Sequence, residues 1–408
     1  MTAEAETAPG QSAPLPAAKR IAALDVLRGV ALFGIFIMNM PGFTHSLFTP
    51  PAPAESGLDS LVGALRELLF AGKFNLMFGL LFGIGFSLQL GRLEATRPAG
   101  GAGLFYARRL AALLAIGLCH AALLWSGDVL VVYAVLGFAL LAVRRLPDGA
   151  VLALIGLCLV YPALSDALRP LLFSFATETV AAFEYQDFEA SNDAAYGHGS
   201  FLDAVFETAR IFAWSYSSPL GLFSYAAFYV QMATGILLGL LVGRRRWVER
   251  LASLAAPIRR AQLGALVLAL VAGTLWLAFG GAGGEASAPP LAAALARTVG
   301  RAALMVFYAL SVLRLLGHPR TARLLRPFGL AGRMPLSNYL LQTLMGTFVF
   351  YGWGLGWWGR VGPLAETVLA AGLFLVVQLP LSAWWLGRFQ YGPVEYLWRR
   401  LTYGRLGG

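Results

Sequence analysis

The chain of 408 residues is 58% hydrophobic and only 13% charged, and its formal net charge is +10. Soluble domains carry roughly twice that charged share. Apolar stretches of about 17–25 residues, enough to cross a hydrocarbon core about 30 Å thick, recur along the length and exclude a soluble globular protein, and the short alternating segments of a β-barrel are not found.

Residues 1–18, rich in Ala, Pro, Thr and Glu, read as a disordered tail. They carry no basic n-region, so a signal peptide is not expected and the first apolar run should persist in the mature protein. That run, 22–42, opens with "LDVLRG". Asp25 and Arg28 are three residues apart, share one helix face and can pair. They are either an anchor at the membrane interface or part of a site. Asn39 falls in the outer half of the same helix, where a side-chain amide can bond a neighbouring helix. His45, in "MNMPGFTHSLFTPP" just past the span, is either an ordinary loop histidine or a second base.

Further spans are expected at about 73–91, 106–125, 128–143, 149–166, 223–243, 261–280, 293–314, 335–353 and 364–386, with interfacial helices at 58–71 and 201–218. In 73–91, Gly79 and Gly83 form a small-xxx-small face that lets helix backbones approach closely. Twenty-three of the 31 Lys and Arg residues fall on one side of these spans, seven on the other, and Arg28 lies within a span. Basic connections remain in the cytoplasm. The expected fold class is therefore all-α, a polytopic membrane helix bundle of about ten transmembrane helices with both termini cytoplasmic. The positive excess is a topology signal held against the inner leaflet, which argues against nucleic acid as a partner and for the lipid bilayer. Residues 19–408 form one transmembrane domain, and 167–222 is an acidic extracytoplasmic loop within it.

Spans three and four contain "LCHAALLWSGDVLVVY". His120 lies eleven residues beyond Arg109, about 16 Å deeper at 1.5 Å per residue. Asp128 follows across a very short turn, which makes the two spans an antiparallel hairpin and offers an N-cap for the second. A histidine this deep must satisfy its ring nitrogens. It does so either as a neutral interhelical partner or as a general base whose tautomer Asp128 sets. Cys119 and Cys158 sit in apolar runs as small core fillers, and neither a disulfide framework nor a metal site is expected from their spacing or from the four scattered histidines. In the last third, Arg333 precedes span nine, where Ser337, Asn338 and Gln342 place polar groups inside the bundle. Ser337 has no His or Asp at a nucleophile-motif spacing.

"LDVLRGVALFGIFIMNM", "KFNLMFGLLFGIGF", "RRLAALLAIGLCHAALLWSGDVLVVYAVLG", "GRMPLSNYLLQTLMGTFVFYGWGLG" and "YGPVEYLWRRLTYG" together resemble the YeiB-like family of bacterial membrane proteins. That family is named for a C-terminal domain of unknown function (418), here about 236–404. More remotely, the R-x-x-x-LDxLRG opening, from Arg20 to Gly29, resembles the transmembrane acyltransferase superfamily, which includes acyltransferase-3 proteins and heparan glucosaminide N-acetyltransferase. The resemblance implies a bacterial inner-membrane protein that moves an acyl group from cytoplasmic acyl-CoA, acetyl-CoA for example, to an extracytoplasmic carbohydrate or small-molecule acceptor. Where acyltransferase-3 members carry a catalytic histidine late in the first span, this chain has Asn39, so His120 with Asp128, or His45, must supply the base. Arg20, Arg28, Arg108 and Arg109 would hold the donor phosphates, since guanidinium forks match phosphate oxygens, with Asp25 aiming Arg28. Asn39, Arg333, Ser337 and Asn338 are candidate substrate contacts. The rival reading is a small-solute transporter using buried His120, Asp128 and Asn338 as a relay. Oligomer formation is left open by the residues.

Overall fold

The computed structural model describes residues 17–46, 56–96, 101–177, 181–250, 254–279 and 290–404. Nearly all of the expected tail 1–18 and the side chain of Arg20 lie outside the described residues. The described chain is helical and holds no strand. Its α-helices, in chain order, are α1 (Ala17–Asn39), α2 (Pro41–Thr44), α3 (Gly57–Leu69), α4 (Lys73–Thr96), α5 (Gly101–Leu123) and α6 (Leu130–Val143). There follow α7 (Asp148–Thr177), α8 (Ala181–Asn192), α9 (Phe201–Ser217), α10 (Pro219–Arg244), α11 (Ala255–Ala278) and α12 (Leu291–Leu315). The last are α13 (Pro319–Arg333), α14 (Pro335–Phe350), α15 (Pro363–Gly372), α16 (Leu379–Leu386) and α17 (Pro393–Tyr403).

Eight helical runs among the described residues are long and apolar enough to cross a bilayer. The shorter α6 and the polar-faced α14, 14 and 16 residues long, stand at the remaining expected spans. In hydrocarbon every backbone N–H and C=O must be satisfied within the segment, which is why long apolar runs resolve as helices. Proline opens α10, α13, α14, α15 and α17 at the first-turn positions that have no intrahelical donor to lose. Ser200 and Asp203 close a capping box at the start of α9.

One close seam joins α4 and α10. A Cβ on Gly83 would stand 2.1 Å from the Ile236 carbonyl oxygen, and one on Gly239 2.1 Å from that of Leu80. Only hydrogen fits there, so the Gly79–Gly83 face finds its partner in the matching stripe Gly235–Gly239–Gly243 of α10. A second close crossing sets α13, which lies where the run lengths predict only a cytoplasmic connection, against the basic end of α1. A Cβ on Gly332 would lie 1.8 Å from the Asp25 carbonyl oxygen.

Contacts between distant segments respect the sidedness expected from charge. At the basic end, Arg109 of α5 stacks on Trp398 of α17 and Phe105 meets Tyr403 at 4.9 Å. At the opposite, acidic end, the Gly359 amide donates to the Thr44 carbonyl at 2.7 Å and Trp358 Nε1 to Asp193 Oδ1 at 2.8 Å. The acidic segment 167–222 is itself mostly helical, built from the end of α7, α8, a π-helical turn at Asp193–His198 and α9. The leucines of α3, Leu58, Leu61, Leu65 and Leu68, point outward, as an interfacial helix requires. Cys119 is exposed on the outside of α5 and does not fill the core.

Candidate functional site

The α5–α6 hairpin folds Asp128 back over the last turn of α5. Asp128 Oδ1 pairs with His120 Nδ1 at 2.8 Å, while Oδ2 accepts the Val131 amide at 2.6 Å. One carboxylate thus caps the first turn of α6 and orients the imidazole. Nε2 lies 2.9 Å from the Thr343 hydroxyl of α14, which donates to it in the neutral tautomer that carries its proton on Nδ1 toward Asp128. One turn before Thr343, the Tyr339 ring packs 5.1 Å from the imidazole and its hydroxyl accepts the Val129 amide at 3.2 Å. The His120 and Asp128 side chains are 0% and 1% exposed. Both ring nitrogens are bonded, which removes the penalty of about 1–3 kcal/mol that an orphaned buried polar group carries.

Beside this pair lies a cavity of about 330 Å³. Asn39 and Gly42 line it from the end of the first span, Asn75 from α4, Trp125 and Asp128 from the hairpin, and Tyr225 from α10. Asp128 is therefore shared by the dyad and the cavity wall, and the fold brings Asn39 to the same space. Trp125 Nε1 donates to the Gly42 carbonyl at 3.1 Å and its ring packs on Phe43 at 4.5 Å, fixing the cavity's rim.

His45 belongs to a neighbouring cluster at the acidic end. Glu366 of α15, 2% exposed, is ion-paired with Arg66 of α3 and accepts from the Thr44 hydroxyl at 2.5 Å. That hydroxyl lies 2.9 Å from His45 Nδ1, which is itself 3.8 Å from Glu366. Burial pulls the His45 imidazole below its ordinary range, opposed by the Glu366 charge and reinforced by Arg66. Other charges on the same side are also paired: Arg301 donates to Glu67 at 2.7 Å, Lys73 to the Glu67 carbonyl at 2.8 Å, and Arg297 pairs with Asp166.

The arginine set gathers at the basic end. Arg28 Nη1 donates to Asp25 Oδ1 at 2.6 Å, and the exposed Arg333 adds its charge to the same carboxylate. The Arg109 guanidinium lies 3.8 Å over the Trp398 ring, within the fields of Arg28 and Arg399. Arg108 Nε donates to the Leu401 carbonyl at 3.1 Å. Neither Arg28 nor Arg109 lines the 330 Å³ cavity. Ser337 and Asn338 hold helix junctions. Glu395 of α17 accepts the Leu336 and Ser337 amides and, at 2.5 Å, the Ser337 hydroxyl. Asn338 Nδ2 donates to the Ala331 carbonyl and to Ser382, each at 3.0 Å.

Sequence reasoning passed over Thr343, Tyr339, Glu366 and Arg66. Tyr339 and Thr343 are four apart on α14, one helix face, a spacing visible in the sequence. Glu366 is an acidic residue inside an apolar run, which by itself marks a functional or structural partner.

The fold and site define a polytopic α-helical membrane protein with a buried imidazole–carboxylate pair whose carboxylate, Asp128, lines a cavity near its acidic end. Residues 242–405 match the family described as "Protein of unknown function (DUF418)". The chain is 30% identical over 401 residues to the uncharacterized protein YxaH of Bacillus subtilis (strain 168), covering 94% of each. It is 29% identical over 427 residues to the uncharacterized protein YeiB of Escherichia coli (strain K12), covering 94% of this chain and 96% of that one. The chain belongs to the YeiB-like family of membrane proteins.

Proposed function

We propose that the protein is a membrane acyltransferase of a bacterial inner membrane, passing an acyl group from cytoplasmic acyl-CoA to a hydroxyl or amine of a carbohydrate-like acceptor at the outward face. The observation that carries this reading is the shared position of Asp128, bonded to His120 on one side and lining the outward cavity on the other. The acceptor sits in that cavity among Asn39, Asn75 and Tyr225. As its oxygen or nitrogen bonds to the acyl carbon, its proton passes to His120 Nε2 and the carbon–sulfur bond breaks; the imidazolium then returns the proton to the departing thiolate. Thr343 occupies Nε2 in the resting arrangement, so its hydroxyl either turns aside or relays the proton. Asp128 fixes the tautomer throughout, and such proton transfer is worth roughly 10²–10⁴ in rate. Arg28, Arg108 and Arg109 supply guanidinium groups for the donor phosphates on the basic side. The acyl end then has to travel along α1 from Arg28 to Asn39, about 16 Å.

A second reading has its own support. The outward cavity and an inward one, described below, both border the α4–α10 pair, an arrangement that also suits a carrier of small polar solutes. Vesicles loaded with radiolabelled acetyl-CoA on the basic side and offered glucosamine oligosaccharides or an envelope-glycan extract outside distinguish the two. The acyltransferase labels the external glycan, and His120→Gln does not, while remaining monodisperse and folded. Solute flux without any labelling, or equal labelling by His120→Gln, overturns the proposal.

A further inference from the structure

At the basic ends of α4, α6 and α10 lies a second cavity, of about 630 Å³. Five arginines line it: Arg92, Arg144, Arg145, Arg244 and Arg246. Two carboxylates, Glu94 and Glu249, line it with them, and Arg244 also reaches Asp148 at 3.3 Å. The sequence explains these charges as a topology signal, but that signal needs only that they be cytoplasmic, and does not require them to converge on a hollow. A volume of about 300–1,000 Å³ is the usual size of a small-molecule site.

Three features mark the wall as built. Arg244 is held by its own bonds, Nη1 to the Leu146 carbonyl at 2.8 Å and Nη2 to the Arg144 carbonyl, so it braces the corner that carries Arg144 and Arg145. Arg144 Nε is buried with no hydrogen-bond acceptor, and its approach to Glu94 is 3.7 Å, too long for a hydrogen bond. Arg246 has φ of +52°, a left-handed backbone that a non-glycine residue adopts at a cost and that recurs at ligand sites. Below them, Gly243 presses on Ser87 and closes the α4–α10 seam, whereas a Cβ on Gly91 in the same wall would meet no atom within 4 Å.

We infer that this cavity binds a phosphate-bearing anion from the cytoplasmic side. Phosphate is the anion whose oxygens match several guanidinium forks at once, and an excess of positive charge over carboxylate suits a doubly or more highly charged group. The same chemistry is offered by a soluble phosphate compound and by an anionic lipid headgroup. The inference stands independently of acyl transfer, because it uses none of the residues assigned to that reaction and its readout is binding.

The test uses full-length protein in an uncharged detergent, titrated with inorganic pyrophosphate, and in parallel nanodiscs of phosphatidylcholine with or without phosphatidic acid. Pyrophosphate is expected to raise Tm by several degrees at low salt through selective binding to the folded state, with the shift shrinking in concentrated salt. Arg246→Gly removes one cation and relieves the backbone, and Gly91→Leu places a side chain in the hollow from a position whose Cβ is unobstructed. Each should keep or raise the ligand-free Tm while weakening the pyrophosphate effect by at least about tenfold. A shift seen only with phosphatidic acid, and lost in both variants, supports the site and assigns its source to lipid. No shift of the wild type with either probe, or full shifts in both variants, overturns it.

Discussion

The two ends of the bundle differ in how much charge they leave unbalanced. At the acidic end, charged and polar groups answer one another: Asp128 holds His120, Thr343 takes the remaining ring nitrogen, and Glu366 is enclosed by Arg66 and Thr44. At the basic end Arg28 is likewise paired with Asp25, but five arginines crowd one hollow with two glutamates among them, Arg244 also reaching Asp148. Closed polar networks give a rigid constellation whose integrity depends on every member. An unbalanced cluster adds little to the fold and is instead arranged for something that arrives. The contrast predicts that substitutions at the acidic end are read in stability and those at the basic end in ligand response.

The largest effect is expected from Arg66→Met, which leaves the Glu366 carboxylate buried without its cation. Breaking a buried pair on one side costs about 3–5 kcal/mol, measurable by unfolding in detergent, and adding Glu366→Gln should recover most of the loss. A wild-type unfolding curve for the single variant would erase the distinction between the two ends. Thr343→Val keeps the volume of α14 but removes the donor to His120 Nε2, an expected loss of about 1–3 kcal/mol.

Smaller again is a pH effect at His45. Its folded-state affinity for protons lies below the ordinary value of 6.5 because burial outweighs the Glu366 charge. The unfolded chain therefore binds more protons just below that value, so stability should hold above about pH 6.5 and decline as pH falls through the lowered folded value. His45→Gln should flatten this part of the Tm-versus-pH curve; an unchanged slope would mean another group is responsible. The smallest change is expected from Arg145→Ala at the basic end, where an exposed cation lines the hollow. Its unfolding free energy should stay within about ±0.5 kcal/mol of wild type, and a loss of several kcal/mol would show that the arginine cluster holds the fold together.

Much of the architecture is written in apolar run length, because a lipid-facing helix must be both long and hydrophobic. Each expected span coincides with a helix, and the Gly79–Gly83 face packs as small residues allow. The α13 helix escaped notice because it is amphipathic, arginine-rich and interrupted by Pro327, so no apolar run announces it. The His120–Asp128 pair was legible because a very short turn forces the two residues together. Thr343 was not, since its bond to His120 joins residues 223 apart and only the packing of α14 against the hairpin creates it. Glu366 was readable as a carboxylate in an apolar run, but its partners in α3 and α2 come from the far end of the chain. The convergence of the five arginines on one hollow depends on how α4, α6 and α10 end side by side, which the one-dimensional charge pattern does not encode.

The proposed function makes His120 and Asp128 one catalytic unit, with Asp128 in the wall of the outward cavity. Its most direct test is the acetyl-transfer rate of His120→Gln, Asp128→Asn and the double variant in oriented vesicles. Each single change is expected to lower kcat by roughly 10²–10⁴, and the double variant to be no slower than the worse single one. Losses that multiply, or a single variant that turns over at the wild-type rate, would contradict it.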